Sequence, residues 1–165
     1  FDGNSSVVFD EDRGFLAGSV PMISLEDIAR ASKNLNPERL TIRLLTPLKF
    51  KDKNEVVGDL TARLFLDALI RRIRTLAHFY CGGNAPADDF DCGTVAMEKR
   101  NLRWVVVERR SMNHPASVNI GGFVGSFDLT GISPPLLPIL HVGRYLHVGK
   151  NTVYGCGRYE ISHAE

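Results

Sequence analysis

The stretch DLTARLFLDALIRRIRTLAHFY, residues 59–80, constrains the fold more than any other part of this 165-residue chain. Apolar residues recur at 66, 69, 73, 76 and 80, the stripe of a helix. Arg63, Asp67, Arg71, Arg74 and His78 step along the opposite face. A helix of this kind has one face to bury, so it needs a sheet or another helix against it. Asp59 is expected to cap its start and Gly82-Gly83 to stop it.

The flanking segments supply a sheet. RLTIRLLTPLKF (39–50) is rich in β-branched and apolar residues and predicts a strand over 40–46. Pro47 lacks an N–H, which excludes a central-strand position there and leaves 47–50 as a bent or fraying end. NLRWVVVERR (101–110) predicts a second strand, with Trp104 and Val105 to Val107 in the core. SMNHPAS turns the chain, and VNIGGFVGSFDL (118–129) runs back, its glycines marking a bulge or a close neighbour. ISPPLLPILHVGRYLHV (132–148) predicts a second helix, with Ser133 as cap and Pro134-Pro135 in the first turn. Pro138 is expected to confine the regular helix to the residues after it. TVYGCGRYEI (152–161) alternates as a last strand. From residue 40 the order is β-α-β-β-α-β. That is the α+β, ferredoxin-like arrangement, an antiparallel four-stranded sheet with two helices on one face.

Residues 1–38 precede this unit and are expected to be a connector or the end of a preceding domain, with 39–165 as the ferredoxin-like domain. The lead contains one short helix, SLEDIARASKN, capped by Ser24 and ended by Pro37. It carries three Lys and Arg against seven Asp and Glu. The remainder carries seventeen against twelve, a moderately basic body compatible with a polyanion partner. No apolar run approaches the ~18–20 residues of a membrane helix and no signal-peptide pattern opens the chain, so a cytoplasmic setting is expected. Cys81, Cys92 and Cys156 form no CxxC pair and read as free thiols. The first residue is Phe, which predicts a longer parent protein.

Four stretches in succession resemble a known family. LTIRLLTPLKF is similar to an opening strand with a "TPL" turn, and LIRRIRTLAHFYCG to a first helix with a cysteine-glycine exit. WVVVERRSMN with NIGGFVGSFDLTG is similar to a central hairpin. LLPILHVGRYLHVGKNTVYGCGRYEI is similar to a second helix and a terminal glycine-rich loop. Together they resemble the C-terminal half of the CRISPR-associated pre-crRNA processing endoribonucleases of the RAMP superfamily, over roughly residues 40–161. The resemblance implies two ferredoxin-like domains in tandem, of which this chain supplies the C-terminal one. It implies metal-independent cleavage within CRISPR repeat RNA to give guide RNAs, with no cofactor. CRISPR repeat RNA and subunits of an interference complex are the implied partners, and a homodimer is a further expectation. The family's usual histidine acid/base belongs to the first domain, ahead of residue 1. SMNHPAS is less basic than the family's turn at this place.

Within HVGRYLHVGKNTVYGCGRYEI, residues 141–158 contain no acid. Glycine permits φ > 0 and close backbone approach, so Gly149, Gly155 and Gly157 could turn consecutive N–H groups to a phosphate, with Arg144, Lys150 and Arg158 adding charge. On the residues alone, a helix C-cap at Gly149 and a crowded bend at Gly155 and Gly157 explain the glycines somewhat better. The resemblance selects the first reading, because the loop lies near the RNA path in the family. Arg109 and Arg110 end a strand before a turn holding His114, and the same resemblance makes them a second RNA-binding candidate. Arg63, Arg71 and Arg74 could track a nucleic-acid backbone or form a solvated ladder through Asp67.

RNA cleavage through an attacking 2′-OH needs a base, an acid and charge stabilisation. His147, beside Lys150 and Tyr154, is the local candidate, set against a role in loop packing or phosphate contact. His141, six residues away on a helix, points elsewhere. His78-x-x-Cys81 offers two metal ligands without partners, and no metal is expected. Two other functions share the architecture: a non-catalytic crRNA-holding RAMP subunit, and a regulatory module that binds a small metabolite and dimerises through its sheet.

Overall fold

The structure is a computed structural model that describes residues 9–10, 15–16, 22–52, 55–82, 90–111 and 114–163. Its labelled elements are α1 (Leu25–Ser32), β1 (Arg39–Leu48), α2 (Ala62–Tyr80), β2 (Ala96–Val105), β3 (Glu108–Ser111), β4 (His114–Asn119), β5 (Gly122–Thr130), α3 (Leu136–Leu146) and β6 (Tyr159–His163). Two-residue ladders at Phe9–Asp10 with Phe15–Leu16 and at Lys51–Asp52 with Glu55–Val56 complete it.

Helix α2 forms where its periodicity places it. Its cap is Thr61, whose Oγ accepts the Leu64 N–H at 3.2 Å, while Asp59, the expected cap, pairs with the guanidinium of Arg100. Phe65, Leu66 and Leu69 are fully buried on its inner face. Cys81 closes the helix by donating its N–H to Ala77 O at 2.9 Å; Gly82 follows at φ 69°, and Gly83 lies outside the described residues.

The four main strands pair antiparallel in the order β6-β1-β5-β2, the ferredoxin-like topology. On β1 the period-2 alternation is clean: Leu40, Ile42 and Leu44 face the helices, and Thr41 and Arg43 face away. Thr41 donates to Asp128 at 2.7 Å and Arg43 to Glu160 at 2.6 Å on the open face. Phe65 packs edge-on against Phe127 and Tyr159, with ring centroids 5.5 and 5.3 Å away. The buried Tyr159 hydroxyl donates to Leu140 O at 2.7 Å and so ties β6 to α3. Gly143 makes room for it: a side chain there would come within 2.2 Å of that oxygen.

Several expectations need correction. The first strand runs through Pro47, which sits in an irregularity of the β1–β5 register between Leu44 and Leu48, where no ladder N–H is required. Trp104 is not core: β2 is an edge strand, and Trp104 stays 39% exposed with one face against Phe123 at 5.0 Å. Val106 is 68% exposed at the break between the main hairpin and its extension, β3 with β4. Helix α3 starts at Leu136, two residues before the expected barrier at Pro138. A proline in a first turn removes an N–H that has no intrahelical partner. Ser133 contributes its carbonyl, which accepts the Leu136 N–H at 2.9 Å, and no side-chain cap. Residues 152–154 form a 3-10 turn and 155–157 a further turn, and the last strand begins only at Tyr159.

Helix α1 carries the expected cap as a full capping box between Ser24 and Asp27. It lies against α3 with Ile28 buried, so a third helix joins the two on the helical face. The three cysteines are free, with Cys92 and Cys156 buried; burial pushes both thiols up. No helix among the described residues is long and apolar enough to cross a membrane.

Candidate nucleic-acid interface

The loop between α3 and β6 is built on the bulged end of β1. The Val148 N–H donates to Gly157 O at 3.0 Å, Gly157 N–H to Pro47 O at 3.0 Å, and Lys150 N–H to Lys49 O at 2.8 Å. Thr46 Oγ accepts the Arg158 N–H at 2.9 Å and donates to Gly155 O at 2.8 Å. Gly149 and Gly157 are required by these close approaches, at φ 88° and 78°. Gly155 also has positive φ, but no atom lies within 4 Å of where its Cβ would be, so it is the open position of the loop.

The backbone N–H groups of Lys150, Tyr154, Gly155, Cys156, Gly157 and Arg158 all donate to protein oxygens. These six cannot also cradle a phosphate.

The side chains around the loop divide into two depressions. The first, of about 510 Å³, is lined by Arg144, Tyr145, His147, Tyr154, Gly155 and Arg158, with Thr46 and Glu160 among the other residues of its wall. The Arg144 guanidinium stands 5.8 Å over the Tyr145 ring, and its Nε is buried without a hydrogen-bond partner. Tyr145 and Tyr154 are about half exposed, 46% and 48%, as stacking surfaces would be. Glu160 is the acid of this wall. Its hydrogen bond to Arg43 holds its carboxyl below the usual range, with the charges of Arg144 and Arg158 adding to the effect. Arg43 therefore offsets Glu160 and leaves the depression net positive.

His147 ends α3 at φ 60° with its N–H on Gly143 O. Its Nδ1 lies 3.2 Å from Cys156 O. A carbonyl only accepts, so Nδ1 carries the proton, and Nε2 is the basic nitrogen of the neutral ring. His141 sits apart, buried in α3 beside the Tyr145 ring. Burial, and then the charge of Arg144, lowers its pKa.

The second depression, of about 230 Å³, takes Lys150 and Gly149 away from the first group and places them with Lys51, Arg71 and Arg72. The expected cluster of Arg144, Lys150 and Arg158 is thus two sites flanking one loop. Further along α2, Arg63 pairs with Asp67 at 3.4 Å, one rung of the expected ladder, beside a surface shared with Arg71 and Arg74. Arg109 and Arg110 lie in β3, Arg109 opposite Val118, and their side chains fall outside the described residues. Sequence reading missed Lys51, Arg72 and Tyr145. Arg72 and Tyr145 carry a local signal as the neighbours of Arg71 and Arg144, whereas Lys51 carries none.

The open face of the sheet is different in character. Arg39 bridges Glu98 at 2.8 Å and approaches Asp128 at 3.9 Å, with Lys99 3.8 Å from the same carboxylate. Charges there are balanced, and the basic character gathers around the loop and α2. Among the described residues no three His, Cys, Asp or Glu side chains converge as metal ligands would.

Fold and site together define a ferredoxin-like α+β domain with basic depressions at the loop before its last strand. The family model for the CRISPR-associated endoribonuclease Cas6 matches residues 42–159, and the chain belongs to that family. Its backbone resembles Thermus thermophilus Cas6 (TTHB231), with a TM-score of 0.56 and 19% identity over 85% of this chain and 58% of that one. Cas6 (TTHA0078), solved as a product complex, gives 0.55 and 22% over 82% of this chain and 56% of the other. A partial Cas6-RT-Cas1–Cas2 complex gives 0.57 and 20% over 85% of this chain and 26% of the matched one. At these identities the likeness is one of fold. The chain spans little more than half the length of the two free-standing Cas6 chains. No curated protein sequence matches it.

Proposed function

We propose that this chain is the RNA-binding, C-terminal ferredoxin-like domain, from about residue 39, of an endoribonuclease that cleaves CRISPR repeat precursor RNA into guide RNAs without a metal. The observation that carries the reading is the first depression: two arginines, a histidine and two half-exposed tyrosines converge beside Gly155, with the wall's acid already paired to Arg43. Arg144 and Arg158 neutralise phosphates, and Tyr145 and Tyr154 offer π-faces to unpaired bases. Arg109 and Arg110, on the extended hairpin, form a second contact. The partners that go with this reading are the repeat RNA and other CRISPR proteins, and a homodimer is compatible with it.

Cleavage by 2′-OH attack needs a proton acceptor and a donor. The first depression supplies one histidine, which fits a contact better than a complete acid–base pair. The family resemblance implies an acid/base histidine in a preceding domain of the intact protein, and this reading adopts it.

The test is binding of a labelled CRISPR repeat RNA to the intact protein, against a scrambled RNA, at low and moderate salt. Preferential, salt-sensitive binding that Arg158→Gln weakens is expected. Absent or salt-insensitive binding would remove the reading in favour of the metabolite-binding module.

A further inference from the structure

The second depression has no part in the function as stated so far. Its charged residues come from three places: Lys51 just past the end of β1, Arg71 and Arg72 on α2, and Lys150 in the loop. Its floor is apolar, made by Phe50, Leu64 and Ala68, and no Asp or Glu lines it. Arg72 is half-buried and aims Nε at Leu146 O at 3.4 Å; Lys51, Arg71 and Lys150 are exposed. Among the described residues none of the four has a carboxylate within ion-pair distance, whereas Arg39, Arg43, Arg63 and Arg100 each do. Four gathered cations without an acid repel one another, and an anion seated among them relieves that cost. At about 230 Å³ the space is below the ~300 Å³ at which pockets for whole organic ligands begin, which suits a phosphate group better than a nucleoside.

We propose that Lys51, Arg71, Arg72 and Lys150 form a separate binding site for RNA backbone phosphate, so that one RNA strand held at the first depression continues across the loop to α2. The site rests on the reading of this chain as an RNA-binding domain. The loop fits such a crossing. Its main chain is pinned to Lys49, just past the end of β1, by the Lys150 N–H.

The experiment is the salt dependence of repeat-RNA affinity for the intact protein, comparing wild type, Arg71→Gln/Lys150→Gln and Arg158→Gln. Each lost phosphate contact lowers the slope of log K against log salt by ~0.7–0.9, so the double variant is expected to lose ~1.4–1.8 from the slope. Both residues are exposed, and an unchanged melting curve confirms the fold. A wild-type slope in the double variant, with a reduced slope in Arg158→Gln, overturns the second site and leaves the RNA-binding reading standing. Absence of salt-dependent RNA binding in the wild type overturns both.

Discussion

A Cβ on Gly157 would stand 1.8 Å from the carbonyl oxygen of Val148, in the middle of the loop that carries the candidate RNA site. Backbone occupies that space, and Val148 is itself held by the Gly157 carbonyl. No rotamer change relieves the clash. Gly157→Ala is expected to cost more than ~3 kcal/mol, the strain of a left-handed residue plus displacement of the loop. Gly155→Ala meets open space and is expected to cost only ~1–2 kcal/mol. Urea unfolding of both variants checks the difference, and equal costs would mean that the loop relaxes freely around residue 157.

The buried His141 makes stability depend on pH. Its pKa is lowered from the ordinary 6.5, chiefly by burial, so the folded state favours the neutral ring. As pH falls below that value, the unfolded chain takes up the proton first. Stability is fully present above pH 6.5 and drains away as pH falls toward the lowered folded pKa. Nδ1 has no hydrogen-bond partner, so an apolar replacement leaves nothing unsatisfied. His141→Leu is expected to flatten the fall in unfolding free energy between pH 6.5 and 5 without lowering stability at neutral pH. Denaturant titrations at several pH values test it, and an undiminished slope in the variant would place the titrating group elsewhere.

The legible part of the sequence tracks the reach of the forces involved. Helix α2 and the Ser24 cap of α1 depend on residues three or four apart; the helix stands where its periodicity places it, though Thr61 caps it in place of Asp59, and Ser24 caps as expected. Trp104 and its valines look like a strand buried on two sides. Their exposure is decided by where β2 lies in the sheet, which composition does not encode. The glycines of the loop are legible, but the N–H groups of Gly157, Lys150 and Arg158 go to Pro47, Lys49 and Thr46, about a hundred residues earlier in the chain. The same long-range packing separates Lys150 from Arg144 and Arg158 and brings in Lys51 and Arg72.

Stacking and charge in the first depression separate experimentally. Tyr154→Ala removes a π-face and no charge, so it is expected to weaken binding of RNA with unpaired nucleotides by ~1–3 kcal/mol while the salt slope stays at its wild-type value. Arg144→Gln is expected to lower the slope by ~0.7–0.9. Anisotropy titrations over a range of salt read both quantities. A reduced slope in the tyrosine variant would show that the substitution moves the arginines and is not a test of stacking.

His147 is the residue whose role most affects the reaction assigned to the intact protein. Its Nδ1 donates to Cys156 O, which fixes the ring against the loop and leaves Nε2 for an RNA phosphate or hydroxyl. If the acid/base histidine belongs to the preceding domain, His147→Ala loses a loop hydrogen bond worth ~1 kcal/mol and weakens binding, while single-turnover cleavage at saturating protein stays within about tenfold of wild type. A positioned acid or base contributes ~100- to 10,000-fold, so a loss of that size at saturation would make His147 the catalytic group. His147→Asn, whose Nδ2 amide can still donate to the Cys156 carbonyl, separates the outcomes. It is expected to restore loop stability, and cleavage that stays lost in both variants would move the chemistry to this depression.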